Sequence, residues 1–384
     1  MSRVLFVTPY PPPADGIGTH SQMLVAALRE RVEVAIAAPG AGPGEAGVHR
    51  VLGLRDGPAR AALLDRFRPD AVYVQFAIAA FGAALPGLDH LVRLARARGI
   101  RVVTVFHEPE RDIAALPVAG AAIYGRIAEG TDVPVVLAAP ARTALAAAGI
   151  GTGGVISLPH GVPELPAVSA GEVERARIRY GLRGRVVLAL GFAHPDKGAD
   201  VLAQAAPLLL PAVPDATIAI AGAPRARRGL FRLFGRADAR HLAAVREATA
   251  WAGERVRFCG FVADDDLPAV LAAAAVMVLP YRRITQSGIA HLCVAGTVPA
   301  VASRLDGLIA TLGEGALYVP PGDPEALATT LLRVLGDAGL RARQQAALAE
   351  RRDAWSPGAV ADRIVEIALG RPARSDGLTT AAVR

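Results

Sequence analysis

Three short stretches, each just past an apolar run, carry the side chains that could act on a charged ligand. In Leu190-Gly191-Phe192-Ala193-His194-Pro195-Asp196-Lys197-Gly198-Ala199-Asp200 an apolar strand runs into a turn ending in Lys-Gly and then into a helix. A lysine there can neutralise a diphosphate, because a point charge acts more strongly where water is excluded; a lysine on an ordinary exposed turn would do nothing. In Tyr281–Ala302 the strand-like Val276–Pro280 leads through Thr285-Gln286-Ser287-Gly288 into an apolar helix, and a second strand begins after Gly296. Free N–H groups and the positive end of the helix dipole leave such a turn, so an anion could sit there. The plain alternative is a strand-to-helix connection with a Thr or Ser cap.

The third stretch is Phe106-His107-Glu108-Pro109, which puts an imidazole and a carboxylate at the end of another strand. His107 is read as touching substrate, with a histidine bonded to a loop carbonyl as the alternative. Glu108 could orient an acceptor or cap the next helix. The first strand ends in a proline-rich loop, Thr8 to His20, where Gly16 and Gly18 let backbone approach a ligand. Its spacing is not that of a dinucleotide fingerprint, and no acidic residue follows the second strand, which argues against a nicotinamide enzyme.

The elements that would carry these residues form two series of apolar runs. Val4–Thr8, Val32–Ala38, Ala71–Phe76, Val102–Phe106, Val133–Ala138 and Val155–Leu158 make the first. Val186–Phe192, Thr217–Ala221, Val256–Cys259, Val276–Leu279, Val298–Ala302 and Ala316–Val319 make the second. They lack strict alternation, as expected of parallel strands covered on both faces. The fold class is therefore α/β, with two Rossmann-like doubly wound sheets in tandem. The expected domains are 1–162, a linker at 163–184, and 185–355, followed by a helix at 356–370 crossing back to the first domain and a loose tail at 371–384.

At 384 residues the chain exceeds one ordinary core, and 52% hydrophobic with 20% charged residues excludes disorder. No apolar run is read as membrane-spanning, since Gln75, Gly82 and Pro86 interrupt the longest, and no cleavable leader opens the chain. A cytoplasmic protein is expected. Cys259 and Cys293 lack metal-ligand spacing and read as buried free thiols. The net charge of +7 gathers at 224–240, where six arginines alternate with apolar residues. That stretch could make peripheral contact with the inner face of a membrane, or be a solvated loop. Nucleic acid is not expected as a partner, because aromatics are only 5% and no recognition motif occurs.

Taken together, these stretches resemble the family 4 glycosyltransferases, retaining nucleotide-sugar enzymes of GT-B fold whose two domains face each other across a cleft. The resemblance runs over roughly residues 3–370. It is carried by PYPPPADGIGTH, FHE at 106–108, PHGV at 159–162, GFAHPDKGADVL at 191–202, the stretch 256–281, SRLDGL at 303–308 and VPPGDPEALA at 319–328. It implies a hexosyl group moved from a UDP- or GDP-sugar to a hydroxylated acceptor, with no cofactor and no metal. His107 would contact the transferred sugar and Lys197 the diphosphate, as the catalytic pair. Gly16, Gly18, His194, Phe261, Val262, Gln286, Ser287, Gly288 and Ile289 would hold the donor, with Thr19, His20 and Glu108 on the acceptor side.

Two departures stand out. The family's paired glutamates fall near Ile284 and Leu292, so ribose recognition is expected to be loose, and its arginine five residues before the lysine is Phe192. His194, Arg282, Arg283 or the 225–228 arginines are the substitutes. The rival readings are a catalytically degenerate partner or activator subunit, and a GT-B epimerase or phosphorylase.

Overall fold

A computed structural model gives the fold and describes residues 1–11, 16–40, 45–151, 153–191, 193–223, 232–284 and 287–371. The chain divides into two compact units, residues 1–161 with the segment from Ala354 onward, and Val162–Asp353.

The first unit holds seven parallel strands: β1 Arg3–Val7, β2 Glu33–Ala37, β3 Val48–His49, β4 Ala71–Phe76, β5 Arg101–Phe106, β6 Val133–Val136 and β7 Ile156–Ser157, in sheet order β3-β2-β1-β4-β5-β6-β7. Side chains alternate between two cores. Leu5 and Val7 of β1 face one and Val4 and Phe6 the other, so both faces of the run are apolar. Helix Pro357–Ala368, capped by Ser356, lays Val360, Ala361, Ile364 and Ile367 on the second core, and Asp362 takes two bonds from Arg31 at 2.5 and 3.2 Å.

The second unit holds six parallel strands: β8 Arg185–Leu190, β9 Ala216–Ala221, β10 Val256–Gly260, β11 Ala274–Leu279, β12 Ala300–Ser303 and β13 Ala316–Val319, in order β10-β9-β8-β11-β12-β13. The charged helix Ala170–Tyr180 belongs to this unit. Its Ser169 and Glu172 form a capping box, and Tyr180 donates to Asp266 at 2.7 Å.

Several expectations need correction. Strand β3 was not foreseen, since two residues are too few to show a period. Strand β12 starts at Ala300 rather than Val298: Thr297 takes φ 50° and the Val298 N–H closes the preceding helix on the Cys293 carbonyl. One helical run, Ile78–Ala97, does reach membrane-spanning length and composition. Gly82 breaks it at φ 47°, and Phe81, Leu88, Leu91 and Val92 fill the first core, so it packs as a core element. Asp266 stands at the N-cap position of helix Leu267–Ala273, where an aspartate is expected to cap, but it makes no side-chain cap bond; its carboxylate is engaged by Tyr180 and by Arg179 at 2.8 Å. Cys293 is buried but Cys259 only half-buried, and burial pushes the Cys259 thiol up to about 11.

Candidate active site

In the second sheet the strand order reverses between β8 and β11, and open parallel sheets bind ligands beyond the carboxyl ends of strands at such a point. Both turns singled out from sequence lie there: residues 191–198 leave β8, and 280–287 leave β11.

The turn after β8 is built to hold one shape. Gly191 takes φ 124°, and a Cβ on Gly222, beyond β9, would collide with the Gly191 carbonyl oxygen. His194 Nδ1 accepts the Asp196 N–H at 3.1 Å, which puts the imidazole proton on Nε2 and makes that atom a donor. A 3₁₀ turn, Pro195–Lys197, follows, and Gly198 closes it at φ 67° with no room for a Cβ against the Pro280 carbonyl oxygen. Lys197 Nζ lies 3.8 Å from the centroid of the Tyr281 ring. A pocket lined by Gly191, His194, Lys197, Gly222, Pro280 and Tyr281 opens between the two turns.

The turn after β11 is fastened to the first. Arg282 donates to Asp200 at 2.8 and 2.5 Å and to the Pro195 carbonyl at 2.8 Å, and its backbone N–H reaches the Asp196 carbonyl at 2.8 Å. Burial alone would raise the Asp200 pKa, but the Arg282 bonds outweigh it and hold the carboxyl below its ordinary range. Arg282, weighed from sequence as a substitute for the family arginine, is thus occupied by Asp200. Arg283 pairs with Asp196 at 3.3 Å. Helix Gly288–Ala295 starts at the buried Ser287, whose hydroxyl accepts the Ala290 N–H at 3.2 Å, so the expected cap is made and Gly288 and Ile289 form the first turn. Ile289 lies against Gly191. Ile284 and Leu292 are half-buried, and the neighbouring His291 gives its Nδ1–H to the Ser287 carbonyl at 2.9 Å. Beyond β10, Gly260 takes φ 68°, Val262 is buried and the Phe261 ring is 69% exposed.

In the first unit the order reverses between β1 and β4. Gly16 and Gly18 lie in the first turn of helix Gly16–Arg29 rather than in the preceding loop. Gly18 is buried, Thr19 exposed, and His20 buried with its ring stacked on His160 at 3.7 Å. His107 is not at an open rim; it is 4% exposed. Its Nε2 donates to the Gln75 side-chain oxygen, and its carbonyl accepts from Tyr124 Oη at 2.9 Å. Burial, aided by His160, pushes the His107 pKa down to about 3, so the ring is neutral at physiological pH. Glu108 takes the left-handed φ 47° and pairs with Arg111, without capping the helix that follows.

Sequence reasoning missed Gln75, His160 and Tyr281 as parts of this arrangement. The available signals were a lone amide in the apolar run AVYVQF and a lone aromatic after Pro280. Gln286, Phe192 and residues 224–231 of the arginine-rich stretch lie outside the described residues. Among the described residues no group of three or more His, Cys, Asp or Glu could hold a metal ion.

Residues 184–337, which include both turns of the second unit, match the family described as glycosyl transferases group 1. The GDP-mannose-dependent alpha-(1-6)-phosphatidylinositol monomannoside mannosyltransferase of Mycolicibacterium smegmatis is 32% identical over 269 residues, 67% of this chain and 66% of that protein. The chain belongs to the group 1 glycosyltransferases. The phosphatidyl-myo-inositol mannosyltransferase of Mycobacterium leprae is 33% identical over 49% of this chain and 47% of its own length. The chain thus spans about half to just under two thirds of these two curated relatives. Among solved structures, Anabaena HepE in complex with UDP superposes with a TM-score of 0.72 at 16% identity, covering 96% of this chain and 99% of that one. The fold of this group 1 member is therefore GT-B.

Proposed function

We propose that the chain is a retaining hexosyltransferase that takes a UDP- or GDP-sugar and passes its sugar to a hydroxylated acceptor. The observation that carries this reading is Lys197, held at the strand-order reversal of the unit that contains the family match, with the capped N-terminus of helix Gly288–Ala295 on the adjoining turn. Lys197, the His194 Nε2–H and the N–H groups at Ser287, Gly288 and Ile289 supply positive charge and donors for a departing diphosphate, and Gln286 is assigned to the donor from the sequence alone. The backbone at Phe261 and Val262 reads the base. Gly16 and Gly18 approach the phosphates, neutral His107 contacts the transferred sugar, and Thr19, His20 and Glu108 serve the acceptor.

In this mechanism the acceptor hydroxyl attacks from the face the diphosphate leaves. A phosphate oxygen takes its proton, so no general-base side chain and no metal are required. Domain roles follow: residues 1–162 serve the acceptor and 185–355 the donor. The named activities of the M. smegmatis and M. leprae relatives favour a lipid-linked acceptor.

Incubation with a panel of UDP- and GDP-sugars, with and without hydroxylated acceptors, should release free UDP or GDP faster when acceptor is present. The loss of the paired glutamates motivates a second reading, a donor-binding subunit without turnover. Nucleotide-sugar binding by thermal shift with no release under any acceptor would establish that reading instead.

A further inference from the structure

Lys197 is the only lysine in a chain with 42 lysine and arginine residues. Every other fixed cation is a planar guanidinium. At this position the sequence keeps a compact ammonium, the cation that can be aimed as a point charge at the face of a ring. That ring belongs to Tyr281, which is 2% exposed, with its centroid 3.8 Å from Lys197 Nζ. The contact is braced from both sides. Arg282, the next residue, holds Pro195, Asp196 and Asp200 of the lysine turn. Ser287, which caps helix Gly288–Ala295, donates weakly to Tyr281 Oη at 3.5 Å. The phenol therefore joins the ammonium on one turn to the helix N-terminus on the other.

We propose that Tyr281 is a positioning residue for Lys197: its ring face seats the ammonium and aims it at the donor diphosphate. This rests on the reading of Lys197 as the diphosphate-binding group. A tyrosine present only to fill the core would touch the lysine without controlling it.

With a single lysine, protein grown on lysine labelled with carbon-13 at the ε position gives one side-chain resonance, and no nucleotide is needed to read it. In the wild-type protein the ε-methylene signal should be shifted upfield by the ring current of Tyr281. Tyr281→Phe should keep that shift and Tyr281→Leu should abolish it. A wild-type resonance at the position of free lysine overturns the proposal even if Tyr281→Leu fails to fold. In turnover, Tyr281→Leu should lower kcat by about five- to thirtyfold, the range a desolvated cation–π contact supports, while Tyr281→Phe stays within about threefold. In a Lys197→Ala background Tyr281→Leu should have no further effect; a full additional loss there would mean that Tyr281 acts through packing alone. A ring-current shift in a protein that turns over no nucleotide sugar would leave Tyr281 seating Lys197 and count against the enzymatic reading instead.

Discussion

His107 is a neutral imidazole because its surroundings forbid the charge, and that has a consequence for stability. Its folded pKa is pushed down to about 3 by burial, while in the unfolded chain it returns to about 6.5. Between these values the unfolded state binds a proton that the folded state refuses. The stability His107 allows is therefore fully present above about pH 6.5 and is lost as pH falls, at a slope of up to about 1.4 kcal/mol per pH unit. In His107→Gln the fall in Tm between pH 6 and 4 should be shallower than in wild type; parallel curves would show that His107 is not the group being forced to ionise. Lys197, His107 and Ser287 were legible in the sequence because each follows an apolar run, where a strand ends and chemistry can begin. Tyr281 and Gln75 were not, because an aromatic or a single amide inside an apolar run looks like any other core residue until its neighbour on another strand is known.

At the scale of elements, the turn between β8 and helix Ala199–Ala212 has one geometry, and Gly198 sets it. A side chain there meets both a left-handed φ of 67° and the Pro280 carbonyl oxygen. Gly198→Ala should cost more than about 1 kcal/mol in urea unfolding and weaken nucleotide binding together, since the same shift moves Lys197. Unchanged stability with unchanged UDP and GDP binding by calorimetry would mean that the turn relaxes freely. Eleven longer strands and one two-residue strand were legible as apolar runs, because parallel strands covered on both faces bury mostly apolar side chains, with Gln75, Thr104, Thr217 and Ser303 as buried exceptions. The two-residue β3 escaped, having no period to show. The boundary of β12 was misplaced because Thr297 in a left-handed conformation, which no propensity suggests, spends Val298 on closing a helix.

For the whole molecule, the two sheets share one strand order about their reversal points; in the second unit His194, Lys197 and Ser287 lie there, while Phe261 and Val262 follow the edge strand β10. The fold class followed from counting runs, but the neighbour relation of β8 and β11 did not, since strand order is a long-range property. It is that relation which brings Gly191, His194 and Lys197 of one turn and Pro280 and Tyr281 of the other around one pocket. The central claim is that this pocket stabilises a departing diphosphate through Lys197. The most direct test measures nucleotide release from the preferred UDP- or GDP-sugar by wild type and Lys197→Ala, both in EDTA. The account predicts undiminished wild-type release and a loss of about a hundredfold in the variant, the scale of removing one charge stabiliser from a water-poor site. Equal rates in the two proteins, or wild-type release that EDTA abolishes and Mg²⁺ restores, would contradict it.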